Sequence, residues 1–198
     1  HKIRTEQVIL RNGHIERFLS FQNNDLPGIM LGASFEKYVC RYGVVPSKEP
    51  VIFSNNSNTN SLVKTLLELN IKPKAYIDSR SGEQIEPELF DLIRKNDIPL
   101  YTNTQVKAAY GNKKLEKIIV QDSSGGTSEI ATEFLCVSGG INPDVHLFTQ
   151  SKGLLSLLNS KFLFSISDSS IDKLGKTKKL GSSFLLDIVS IPLSVSSI

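Results

Sequence analysis

Between Val51 and Asp78 the chain sets out the parts of a phosphate-cradling turn without its glycines. An apolar run, Val51-Ile52-Phe53, reads as a buried parallel strand. The polar turn Ser54-Asn55-Asn56-Ser57-Asn58 follows, then an amphipathic helix through Leu62, Val63, Leu66, Leu67 and Leu69. Lys74 to Ile77 reads as a second strand, ending on Asp78. In a dinucleotide-binding βαβ unit the turn and the helix N-terminus hold a pyrophosphate, and an acid about twenty residues on holds a ribose 2′-OH. The G-x-G-x-x-G of such a turn is absent here. Asn tolerates left-handed backbone angles, so the turn can still form, but each Asn adds a side chain where a pyrophosphate needs close approach. Asn55 and Asn56 are therefore candidate cofactor contacts whose simpler role is to bond their own backbone and fix the turn. Asp78 is a candidate ribose ligand. Without the glycine turn, a solvated strand-end acid is the preferred reading.

Two other places offer glycine backbone to a ligand. Val8-Ile9-Leu10 leads through Arg11-Asn12 to Gly13, and Phe134-Leu135-Cys136-Val137 leads through Ser138 to Gly139 and Gly140. Both read as a buried strand leaving into a glycine turn. Gly13, Gly139 and Gly140 are candidates for close approach to a dinucleotide, or turn residues only. Glu16 and Arg17 follow the first exit and suit an ion pair or a partner contact. His14 and His146 stand without a Ser, Cys or acid at triad spacing, and no metal cluster, paired-carboxylate motif or nucleophile elbow is present. No catalytic residue is expected. Cys40 and Cys136 have no second Cys or His at ligand spacing and read as small buried hydrophobes.

The elements that would position these residues alternate. A helix is expected over 34–42, ended by Gly43 and Pro46, and another over about 87–96 with Leu89, Phe90, Leu92 and Ile93 on one side. Pro99-Leu100-Tyr101 would add a third strand. Three extended segments, 105–110, 115–121 and 128–132, are broken by hairpin signals at Gly111-Asn112 and Ser123-Ser124-Gly125-Gly126. The expected fold is α/β: a Rossmann-like inserted dinucleotide-binding domain, βαβαβ plus a β-meander, with edge pieces of a FAD/NAD(P)-binding domain. Its expected boundaries are 1–27 for the end of the main domain and the crossing, 28–140 for the inserted domain, and 141–198 for the return.

The 198 residues carry a net charge of +3. Residues 151–198 hold six Lys and three Asp, and the rest has 17 basic and 17 acidic residues. The basic balance therefore sits in the tail, and no nucleic-acid surface is expected. No stretch approaches the roughly 18 apolar residues of a membrane span. The chain starts at His1 with no signal-peptide pattern, which reads as an internal piece of something longer in the cytoplasm. From 151 onward there is no Glu, Arg, Ala, Gln or Tyr. Short strands at 154–158 and 162–166 are possible. The tail reads either as a divergent surface segment or as a shifted reading frame, with poor packing and little regular structure expected from about 156.

Two strand-to-glycine exits around an inserted βαβ-meander domain resemble the two-dinucleotide-binding-domain flavoproteins. Within that group, His14-Ile15-Glu16-Arg17, Asn24-Asp25-Leu26-Pro27-Gly28-Ile29-Met30-Leu31, Arg41-Tyr42-Gly43-Val44, Ser54-Asn55-Asn56 and Val137 to Phe148 are similar to the alpha subunit of heterotetrameric sarcosine oxidase. An Asn-rich turn in place of the second glycine loop is a habit of that family. Arg11-Asn12 and Phe18 depart from its usual Ala-Thr and Pro. The resemblance implies oxidative demethylation of sarcosine, with electrons passing to flavin and then oxygen. It implies a structural NAD in the alpha subunit, held largely by sequence before His1. It places FAD/FMN and the small amine substrate on a partner subunit of a hetero-oligomeric oxidase. This segment would then be scaffold and subunit interface. The alternative is a noncatalytic interaction module that kept a Rossmann frame and lost its ligand. An intact pyridine-nucleotide reductase domain is disfavoured, because Asn55 to Asn58 block the loop.

Overall fold

In the computed structural model the chain divides into two compact units, one of residues 16–141 and one of residues 1–15 with 142–198. The structure describes residues 12–150 and, beyond them, the backbone of four strands. In chain order the strands are β1 (Gln7–Leu10), β2 (His14–Glu16), β3 (Ile29–Leu31), β4 (Val51–Ser54), β5 (Ala75–Asp78), β6 (Leu100–Tyr101), β7 (Thr104–Tyr110), β8 (Lys117–Asp122), β9 (Thr127–Ala131), β10 (Leu135–Ser138), β11 (Ile141–Pro143), β12 (Leu154–Leu158), β13 (Lys161–Ser165) and β14 (Val189–Pro192). The helices are α1 (Gly32–Tyr42), α2 (Thr59–Glu68), α3 (Pro87–Lys95) and α4 (His146–Gln150).

The unit of residues 16–141 is built on a parallel sheet of order β3-β10-β4-β5-β6. Its three central strands, β10, β4 and β5, are buried along their whole length, which is why they read as unbroken apolar runs. Their side chains alternate between two cores. Ile52, Tyr76 and Cys136 pack with Phe35, Leu62, Leu66, Leu89 and Ile93 of the helices. Val51, Phe53, Ala75, Ile77, Leu135 and Val137 pack with Val106, Ala109, Ile118 and Val120 of the antiparallel meander β7-β8-β9. Each fully buried Leu, Ile or Val there stabilises the fold by on the order of 1.5–3 kcal/mol. The expected order of strand, helix and meander is found element by element, and β4 and β5 are parallel neighbours as the Rossmann reading requires.

Residues 16–27, expected with the outer domain, pack instead within this unit. Leu19, Phe21 and Leu26 lie against the meander core, and Gln22 pairs with β7 through Lys107 and Ala109. A chain segment carrying that much apolar surface is covered by the nearest core.

In the unit of residues 1–15 and 142–198, β1 pairs with β14 and β12 with β13, both antiparallel. The β12–β13 hairpin occupies the stretch where two short strands were expected. β14 at 189–192 goes beyond the little regular structure expected from about 156. The expected poor packing of the tail's side chains lies outside the described residues. β2 pairs with β11.

Candidate functional site

Register brings three polar residues side by side at the carboxyl ends of the central strands: Ser138 faces Ser54 across the β10–β4 ladder, and Ser54 faces Asp78 across β4–β5. All three are essentially buried. By strand alternation they share the helix side of the sheet, with Cys136, Ile52 and Tyr76. This is where ligands enter an open α/β sheet.

The turn after β4 closes on itself. Asn56 N donates to Ser54 Oγ at 3.1 Å, and Ser54 Oγ donates back to Asn56 O at 3.0 Å. Asn58 N donates to Asn56 Oδ1 at 2.9 Å, and Asn55 N to Ser138 O at 3.3 Å. The Asn56 amide then reaches across the sheet end. Its Nδ2 donates to Ser138 O at 2.9 Å and lies 3.3 Å from both Ser138 Oγ and Asn55 Oδ1. Thr59, at the start of α2, lies 2.6 Å from the Tyr76 hydroxyl and 3.3 Å from Asn56 O. Burial pushes the Tyr76 phenol up to about 12, so it stays protonated at neutral pH. The N–H groups of Asn55, Asn56 and Asn58 are thus spent within the protein. The expected backbone-fixing role is what Asn56 performs. Left-handed angles are not used: among the described residues the non-glycine residues with positive φ are Asn23, Asn70, Asp97 and Asn103, and Asn58 is right-handed helical.

Asp78 is not solvated, which corrects the sequence reading. It is fully buried. Its Oδ1 accepts from Arg80 N at 2.8 Å and Arg80 Nε at 3.0 Å, and its Oδ2 from Arg80 Nη2 at 2.9 Å. A buried carboxylate is tolerated only when paired and hydrogen-bonded, and Arg80 supplies both. The bonds to Asp78 hold the Arg80 pKa above its ordinary value. Arg80 Nη1 continues to Ser57 Oγ at 3.2 Å and Gln84 O at 3.3 Å. Arg80 is the site residue that sequence reading missed; an arginine two positions beyond a strand-end acid was the available signal.

The glycines have local reasons. A side chain at Gly139 would stand 2.8 Å from Arg17 O and 3.1 Å from Leu19 Cδ2. The two backbones lock there, with Gly139 N donating to Arg17 O and Arg17 N to Gly140 O, each at 2.8 Å. Gly140 has φ +91°, a conformation that disfavours any other residue. Gly13 also has positive φ, its neighbourhood is open, and its carbonyl accepts from Asp144 N at 3.0 Å. Glu16 is not ion-paired with Arg17: its Oε2 accepts from Ala33 N at 2.8 Å, a carboxylate at the N-terminus of α1.

Cys136 is wholly buried, with its thiol pKa pushed up by that burial, whereas Cys40 is exposed, contrary to expectation. Cys40 lies on the outer side of α1, away from Phe35 and Val39. His14 and His146 are exposed. Among the described residues there is no group of three or more His, Cys, Asp or Glu that could hold a metal, and no helix is long and apolar enough to cross a membrane. Two open clefts among the described residues lie elsewhere. One of about 500 Å³ runs along Leu100, Tyr101, Asp122 and Thr127, and one of about 220 Å³ along Ser79, Asn103 and Gln121. Neither includes Asn55, Asn56, Asp78, Gly139 or Gly140.

Comparison with known proteins agrees with the residue-level resemblance. No family model matches the chain. The sarcosine oxidase alpha subunit of Rhizobium meliloti is 30% identical over 141 residues, which is 71% of this chain and 14% of that protein. That of Corynebacterium strain U-96 is 31% identical over 161 residues, 78% of this chain and 16% of that protein. Among solved structures, thioredoxin reductase of T. acidophilum superposes with a TM-score of 0.56 at 18% identity, covering 73% of this chain and 47% of that one. Bacillithiol disulfide reductase of Staphylococcus aureus gives 0.52 at 13%, covering 78% and 46%. The chain thus spans about one seventh of the curated relatives it matches. Its fold is the Rossmann-like dinucleotide-binding fold of these reductases, and its sequence is similar to a stretch of the oxidoreductase subunit sarcosine oxidase alpha.

Proposed function

We propose that this chain is a dinucleotide-domain segment of an oxidoreductase subunit like sarcosine oxidase alpha, acting as scaffold and subunit interface rather than as a site of chemistry. The parent reaction would be oxidative demethylation of sarcosine or a related small amine, carried out at flavin on a partner subunit. NAD would belong to the alpha subunit, with most of its contacts supplied outside this segment. Gly13, Gly139 and Gly140 are the positions here that would lie nearest to it.

The observation that carries this reading is the closed turn. A pyrophosphate at the start of α2 needs free N–H groups and open space, whereas Asn55, Asn56 and Asn58 donate internally and the Asn56 side chain spans to Ser138. Asp78 is occupied by Arg80 and is not available to a ribose. The residues of the β4–α2 turn therefore do not fit a dinucleotide. The same observation favours a second reading, a noncatalytic interaction module that stands apart from any oxidase.

Two experiments test this. Calorimetric titration of the chain with NAD, NADP and FAD should give no saturable heat at the turn, and a dissociation constant in the low micromolar range, about −8 kcal/mol, would contradict the closed-turn account. Grafting the matched segment into the Corynebacterium alpha subunit separates the two readings. An assembled, flavin-containing oxidase supports the first; a subunit that folds but no longer assembles supports the second.

A further inference from the structure

The outer side of α1 carries a strip that the fold leaves uncovered. Phe35 and Val39 of this helix are committed to the core, at 0% and 8% exposure. Helical spacing aligns Lys37 with Arg41 and Tyr38 with Tyr42 in two adjacent rows. Tyr38 is 44% exposed and Tyr42 58%, and the loop beyond Gly43 adds Val44 at 49% and Val45 at 46%. Four of the ten exposed large hydrophobic side chains of the described residues thus fall within eight consecutive positions. The tyrosine rings stand 5.9 Å apart, and Arg41 Cζ lies 5.8 Å from the centre of the Tyr42 ring. Among the described residues Lys64, Arg80, Lys114 and Lys117 have carboxylate partners, whereas Lys37 and Arg41 have none.

Tyrosine and arginine side chains massed together are the composition of energetic centres at protein interfaces. We propose that this strip, Lys37, Tyr38, Arg41, Tyr42, Val44 and Val45, is a docking surface for an acidic, apolar-centred face of a different protein chain. Carboxylates of that partner meet Lys37 and Arg41, and its apolar side chains cover the tyrosines and valines. Charge argues against a second copy of this chain, because a two-fold contact would set the same cations against each other. A membrane surface is the poorer fit, since the apolar side of α1 is already spent on the core and only two cations remain.

The proposal rests on the reading of this segment as an interface within a larger assembly. It concerns the opposite end of the sheet from the closed turn: α1 returns from the carboxyl end of β3 toward the amino end of β4, so Tyr42 to Val45 lie at the amino ends of the strands.

The test uses the full chain and two synthetic helical peptides, each with a leucine stripe, one flanked by Glu and one by Lys. Cys40, exposed on the same helix, reports occupancy through its rate of maleimide labelling, while Cys136 is buried and silent. The Glu-flanked peptide is expected to bind at least about tenfold more tightly than its Lys twin, losing that advantage as salt rises, and to slow Cys40 labelling. Lys37→Glu with Arg41→Glu should invert the preference at an unchanged melting temperature, and Tyr38→Ser with Tyr42→Ser should abolish binding of both. Equal binding of the two peptides, no binding, or a preference that survives charge reversal overturns the proposal. So does self-association through the strip in sedimentation, or binding to anionic phosphatidylserine vesicles with no peptide preference. If the peptides fail while the grafted oxidase assembles, this surface is wrong and the scaffold reading stands. If the peptides bind as expected while the grafted oxidase fails to assemble, the surface stands and the scaffold reading is wrong.

Discussion

Two turns in the same unit use the same local chemistry to different ends. After β4, Asn56 Oδ1 accepts the N–H of the residue two positions on, and after β8, Asp122 Oδ1 accepts from Ser124 N in the same way, both at 2.9 Å. The Asp122 turn is complete within itself: its carboxylate also takes Ser124 Oγ at 2.6 Å and Gly126 N at 2.8 Å, and the loop is exposed. The Asn56 turn reaches out to Ser138 on a strand distant in sequence, next to an ion pair whose acid is fully buried. A turn that only reverses the chain can be local. A turn at the ligand-bearing edge of a sheet must have its donors satisfied by something, and here that something is the protein.

The contrast predicts a graded response to mutation. The largest effect should come from Arg80→Ala, which leaves Asp78 buried and unpaired, a loss of about 3–5 kcal/mol; urea denaturation measures it, and adding Asp78→Asn should restore part of the loss. If Arg80→Ala is nearly neutral, the end of β5 is as permissive as the hairpin and the contrast collapses. Asn56→Ala comes next, at about 0.5–1.5 kcal/mol, because it removes the amide's bonds to Asn58 N and the Ser138 carbonyl, while Ser138 O keeps Asn55 N and Asn58 N turns to water. Asn56→Gly sharpens the comparison from the ligand side: tighter NAD binding, seen by calorimetry, would mark side-chain bulk as the obstacle. The smallest effect is expected from Asp122→Ala, read as a slight fall in melting temperature. Its pKa is held below the ordinary 3.8, chiefly by the Ser124 hydroxyl and then by Gly126 N. That small stabilisation is therefore present above pH 3.8 and disappears as the pH falls through the folded-state value. A difference between wild type and Asp122→Ala that persists unchanged in strong acid would contradict this.

The framework was legible because its signals are local. Apolar runs at Val51, Ala75 and Leu135 mark strands buried on both faces, Gly43 stops α1 with φ +64°, and Gly125 turns the hairpin with φ +88°. The misreadings share one physical origin, a partner that no local pattern reveals. Asp78 reads as solvated until Arg80 folds back on it. Glu16 reads as half of an ion pair until β3 delivers the N-terminus of α1 beside it. Gly139 has no packing reason visible in the sequence until Arg17 and Leu19 arrive from the other end of the unit. Nor does any local pattern show that Leu19, Phe21 and Leu26 find their core on the meander.

Cys136 sits in β10 with β3 on one side and β4 on the other, wholly out of reach of solvent. Its sulfur meets a reagent only in molecules whose central ladder has come apart. Under native conditions the slow reaction of Cys136 is therefore a clock for opening of the sheet, and Cys40→Ser leaves that clock as the sole thiol signal of the chain.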